Sequence, residues 1–209
     1  LRLRAEEECA HGRGREGGLG RRRARCGGCE QGGKAGDIGE CEPNVGNLEG
    51  LLQGRAGEIV VRLAPMLDLA LALNDLKHVR EAHIVSVGNE CKELLLLLGQ
   101  GEGVPADDIP IHCVNFTGVP APQALVFTRR QEKERACPYT PQLKSYLYEP
   151  NASVLKAGAF RSLSSLSKVD TLHHNSHLSP SDHSQPAFPP PTSQPTHPHP
   201  PVYKPLNAI

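Results

Sequence analysis

The residues able to do chemistry fall in three places along the chain. The densest is YLYEPNASVLKAGAF, residues 146–160, where Tyr148, Glu149, Pro150 and Asn151 run directly into a helical pattern containing Lys156 and Gly158. Pro150 fits before or at a first helical turn, because its missing N–H costs nothing there. Glu149 and Asn151 suffice as capping groups, with Ser153 as a further capping-type residue. Beyond them, Lys156, Arg161 and Lys168, with His173, His174 and His177 nearby, are the groups a phosphate-contacting surface uses. The second place is CGGC, where Cys26 and Cys29 have zinc-ligand spacing and Cys9, His11 and Cys41 could complete a set. No second CxxC and no HxxxH accompanies them, so low-complexity sequence is the better reading, ahead of loose RNA contact by the Arg/Gly-rich segment and of zinc, and no metal site is assigned. The third is EIVVRLAPMLD, where Asp68 is suited to opening the helix that follows a short strand.

Periodicity indicates which elements would carry these groups. Val45, Leu48, Leu51 and Leu52 form an amphipathic stripe that predicts a helix over 42–55. EIVVRLAP reads as a strand stopping at Pro65, and 66–76 reads as a second helix. Helix, strand, helix in that order suggests an α/β layer with parallel strands. Residues 81–87 and 90–98 flank the turn dipeptide Gly88-Asn89 and read as a β-hairpin. Strands are expected at 109–116 and 124–130, and the mixed charges of RRQEKER at 129–135 as a solvated face. SYLY predicts a short strand at 145–148. A helix is expected over about 151–167, its apolar stripe made of Ala152, Leu155, Ala159, Leu163 and Leu166, with Lys156, Arg161 and Lys168 off the stripe.

Composition confines folding to the middle of the 209-residue chain. Lys+Arg and Asp+Glu both number 23, so global charge points to neither nucleic acid nor membrane. Residues 1–36 hold ten of the 21 glycines and nine basic residues against five Glu, and residues 179–209 hold ten of the 19 prolines. Apolar burial there cannot offset the ordering cost, so disorder is expected over 1–36 and 183–209. The longest apolar run, at 94–99, is far shorter than the roughly 20 residues of a membrane helix. Seven scattered cysteines without a secretory signal suit reduced thiols and a cytoplasmic location. The chain begins with Leu1, as a piece of a longer reading frame would.

Several motifs together resemble one family. YLYEPNASVLKAGAF (146–160) and LHHNSHL (172–178) are similar to the THUMP-like domain of a group of class I S-adenosylmethionine-dependent methyltransferases. VRLAPMLDL (61–69) and HVREAHIVSVGNECKELLLLL (78–98) resemble the segment linking the methyltransferase sheet to a small ferredoxin-like domain, and GECEPNV (39–45) resembles the helix after the fourth sheet strand. The resemblance spans about 37–182. It implies an α+β fold: 37–80 a remnant of the methyltransferase α/β domain, 81–140 ferredoxin-like and 141–182 THUMP-like. It also places Pro65, Met66 and Asp68 toward the catalytic cleft of an intact enzyme, at the carboxyl end of a strand.

The cofactor loop, the acidic residue that accompanies it and the Asp-Pro-type motif of that family would all precede residue 37, and none is present. S-adenosylmethionine is therefore the family's cofactor, and none is expected on this chain. THUMP domains are associated with RNA, so by analogy RNA is the expected partner, with Lys156, Arg161, Lys168 and His177 as contacts. No membrane partner is expected. The alternatives are a non-catalytic binding or interaction module and a nonfunctional gene fragment.

Overall fold

A computed structural model describes residues 21–25, 44–118 and 120–183. Its strands are β1 (Arg21–Arg25), β2 (Glu58–Leu63), β3 (Val79–Val87), β4 (Glu90–Gly99), β5 (Ile111–Phe116), β6 (Gln123–Phe127), β7 (Tyr146–Tyr148) and β8 (Ser179–Ser181). Its helices are α1 (Val45–Gln53), α2 (Leu69–Asp75), α3 (Arg129–Glu134), α4 (Ala152–Ala157) and α5 (Phe160–Ser167).

The fold is α+β. Six strands form a mixed sheet in the order β1-β2-β4-β3-β5-β6, and β7 and β8 form a separate antiparallel pair. Alternation builds the sheet. In the run LLLLL of β4, Leu94, Leu96 and Leu98 are fully buried while Leu95 and Leu97 point to the other face and stay half-buried. Ile59, Val61 and Leu63 of β2, Ala82 and Ile84 of β3, and Ile111 and Cys113 of β5 complete the inner face. Helix α4 packs on that face across β3, β4 and β5. The opposite face, with Val60, Leu95, Leu97, Val85, Val114 and Val126, is only half-covered or exposed.

The hairpin forms as expected, for a clear backbone reason. Gly88 has φ 57° and Asn89 φ 63°, the two left-handed residues that match a tight turn to the strand twist. Other expectations need correction. The parallel layer is wrong at its centre: β2 pairs antiparallel with β4, and β1 and β3 supply the parallel pairs, to β2 and β5. A helix–strand–helix order says nothing about which distant strand will sit alongside. Residues 58–63 share one sheet and one apolar core with residues 79–127. Within the stretch expected to be disordered, Arg21–Arg25 is an edge strand, since backbone pairing requires no apolar pattern; the remainder of 1–36, and residues 184–209, lie outside the described residues.

The expected helix 151–167 is two helices. Gly158 takes φ 68°, and the Ala159 N–H returns to the Val154 carbonyl, a helix-ending pattern that a glycine favours. The break rotates the second half. Val154, Ala159 and Leu163 are buried, whereas Leu155 and Ala152 are half-buried and Leu166 is 55% exposed. The stripe in α1 shifts likewise: Val45 and Glu49 are buried and Leu51 faces solvent. The charged run 129–135 is solvated but helical. Thr128 and Gln131 form a reciprocal cap, and Arg130 and Lys133 pair with Asp108 and Asp107 at 2.5 and 2.6 Å. Those partners hold both carboxyls below the usual range, so these bonds are present at neutral pH and lost as pH falls through the lowered values.

Candidate functional site

The YLYEPNAS turn is a junction of buried amides. Asn151 caps α4: its Oδ1 accepts from the Val154 N–H at 3.1 Å and the Ser153 hydroxyl at 2.7 Å. Its Nδ2 donates to Gln123 Oε1 at 3.3 Å, the same oxygen that accepts from Asn115 Nδ2 at 3.0 Å. Asn115 Oδ1 in turn accepts from the Asn89 N–H at 3.1 Å, and Asn89 Oδ1 accepts from the Ala152 N–H at 2.8 Å. The side chain of a hairpin turn thus satisfies a free N–H of a helix 63 residues later. Asn115 and Ser153 have no exposed surface and Asn151 keeps 6%. Pro150 and Tyr148 are buried beside them, and Glu149 is exposed. The motif's peculiar composition is therefore used to dock α4 on the sheet.

The basic candidates do not converge on one point. Lys156 is half-buried on α4, and its charge is felt by the Cys91 thiol on β4. Arg161 belongs to the other side of the glycine break. Its N–H and that of Ser162 donate to the Glu132 carboxylate at 2.8 Å, and its guanidinium donates to the Lys133 carbonyl. Glu132 thereby caps α5, whose own Ala159 has no capping side chain. Lys168 is exposed in a left-handed conformation at the end of α5. His177 stacks on Phe160 with centroids 3.9 Å apart, and His173 lies against His174 at the same separation. Of the cleft candidates, Met66 is 65% exposed and Pro65 half-buried. Asp68 caps α2 by accepting from the Leu71 N–H at 3.0 Å.

Among the described residues, two clusters involve side chains that were not candidates in the sequence. Glu49, 5% exposed, accepts from the backbone N–H groups of Lys77 and His78 and lies 2.9 Å from His78 Nδ1. It sits on α1, where the apolar stripe had been assigned to Val45, Leu48, Leu51 and Leu52. On the open sheet face, the His83 and His112 rings stack at 4.5 Å with Glu81 beside them. His83 Nε2 is 3.1 Å and His112 Nε2 3.8 Å from Glu81 Oε2. A period-2 spacing, Glu81 then His83, was the available signal; the register that adds His112 was not.

Burial drives the Cys113 thiol up to about 12, with a lesser push from Cys91. Cys113 is therefore expected to resist iodoacetamide at neutral pH in the native protein and to react once the chain is unfolded. Peptide mapping after native labelling reads this directly; rapid native modification of Cys113 would contradict the packing of β5.

Residues 146–189 match the family model of a ferredoxin-like domain. The match begins at the YLYEPNAS turn and so falls on the segment expected to be THUMP-like, while 81–140 had been expected to be ferredoxin-like. A solved structure described as a "putative methyltransferase from Porphyromonas gingivalis W83" is similar at 33% identity and a TM-score of 0.72, over 80% of this chain. The chain spans 41% of that protein's length. No curated protein matches. Among the described residues, no helix is long and apolar enough to cross a membrane.

Proposed function

We propose that this chain serves as the accessory, RNA-contacting part of an S-adenosylmethionine-dependent methyltransferase and does not itself hold the cofactor. The observation that carries the reading is the likeness in fold and sequence to the methyltransferase structure over four fifths of the chain. S-adenosylmethionine supplies the methyl group in such a reaction. The segment from the end of β2 to α2, Ala64 to Asp68, has no glycine to let a nucleotide approach the backbone, and the carboxylate of Asp68 is engaged as a helix cap. The RNA part of the reading draws on exposed cationic groups: Arg161 and Lys168 first, with the half-buried Lys156 and the ring of His177 at the edge. Phosphate contact needs only exposed positive charge, and base contact would use the stacked rings.

The test has two arms. Titration of the chain with S-adenosylmethionine should give no saturable heat; a micromolar isotherm would overturn the cofactor statement. Filter binding of RNA over a salt series should show uniform weakening on Lys168→Ala, on Arg161→Ala and, less strongly, on Lys156→Ala. Each lost phosphate contact lowers the salt slope by about 0.7 on single-stranded RNA. Unchanged affinity and slope in all three variants would remove RNA from the proposal and leave the methyltransferase-associated fold without a nucleic-acid role.

A further inference from the structure

We propose that Glu81, His83 and His112 form a binding site for a divalent transition-metal ion of the zinc class on the open face of the sheet. The register creates it. Glu81 and His83 are two apart on β3 and share a face, and His83 is paired directly with His112 on the parallel strand β5. Three ligand atoms, one from each residue, lie within 4.8 Å of one another. Ligands held at about 2.0–2.2 Å around one tetrahedral ion are separated by about 3.3–3.6 Å. Glu81 Oε2 already lies 3.1 and 3.8 Å from the two imidazole nitrogens, so rotation of the half-buried rings completes the set.

The donor chemistry selects the metal. Two imidazoles and one carboxylate suit zinc and its neighbours, while magnesium and calcium prefer oxygen alone. The surroundings favour ligation. Leu97 pairs with Glu81, Leu95 with His83 and Val126 with His112, so apolar side chains frame the three polar ones. The face is open to solvent, which leaves coordination positions for water or a substrate oxygen, as in reactive rather than purely structural sites. The site is independent of the RNA-contacting role proposed above.

Titration of the full chain with zinc chloride in the presence of a non-thiol reductant tests this. Saturable binding is expected that weakens by at least roughly 100-fold in His83→Asn and in His112→Asn, more than the loss of an outer-shell partner causes, and also falls in Glu81→Gln. It should persist in the double variant Cys26→Ser, Cys29→Ser, because thiols are the competing ligands in the chain. Cobalt substitution should give a visible spectrum without the charge-transfer band of a thiolate. Thermal melts of the Asn variants without metal should match the parent, which separates lost ligation from lost folding. Absence of saturable binding, binding indifferent to His83 and His112, or binding that vanishes with the two cysteines would each overturn the site.

Discussion

Glu49→Ala is expected to destabilise the protein by about 3 kcal/mol, a melting temperature lower by about 10 °C. Glu49 is 5% exposed, and its carboxylate takes the Lys77 N–H at 3.0 Å, the His78 N–H at 2.9 Å and the His78 ring at 2.9 Å. It clamps the end of the α2 segment, just before β3, onto α1. Alanine leaves two part-buried backbone donors without an acceptor, and each such donor costs about 1–3 kcal/mol. Glu49→Gln keeps one oxygen and should lose about half as much. Urea melts of the two variants measure the difference. A melting temperature for Glu49→Ala within about 2 °C of the parent, the range of an ordinary surface change, would show that water already satisfies those donors.

Asn115→Asp should cost more, about 3–5 kcal/mol at neutral pH. Asn115 has no exposed surface; its Nδ2 donates to Gln123 Oε1, and its Oδ1 accepts the Asn89 N–H. A carboxylate there turns an oxygen toward the Gln123 oxygen and buries a charge without a cationic partner. Turning the Gln123 amide over would relieve that contact and break the bond from Asn151 to the same oxygen. The sign of the pH dependence follows. Burial raises the folded-state pKa of the introduced carboxyl above its unfolded value of about 3.9. Below that value both states are protonated and the charge penalty is absent. As pH rises, the unfolded chain ionises first and the variant loses stability. Asn115→Leu removes the same hydrogen bonds without a charge, so its deficit should not change with pH. Parallel melts from pH 4 to 8 compare them; curves that run parallel would mean the cluster is wet enough to solvate a carboxylate.

These two positions mark where local pattern and tertiary structure part. The strand pattern of EAHIVSV, the alternation at the start of ECKELLLLL and the Gly88-Asn89 dipeptide determined the hairpin by themselves, because a strand with one buried face and a turn needing two left-handed residues are local demands. Pro150 and Asn151 determined where α4 begins for the same reason. The α+β class and the methyltransferase resemblance were legible in the motifs, and the fold and the similarity to the Porphyromonas gingivalis structure agree with them. Helix interiors were less legible: Gly158 lay inside the single helix expected over about 151–167, yet its left-handed conformation ends α4, and Leu166 is exposed.

Which strands lie side by side was decided only by the tertiary structure. Pairing is a choice among backbones that all offer the same N–H and C=O groups, and it depends on how the apolar faces close over one core. That choice set β2 antiparallel to β4 and brought β1 alongside β2. It carried Asn89 to the N-terminus of α4 and drew Asn115, Gln123 and Asn151 into one buried network. By pairing β3 with β5 in parallel register, it set His112 against His83, 29 residues away in sequence and 4.5 Å away in space.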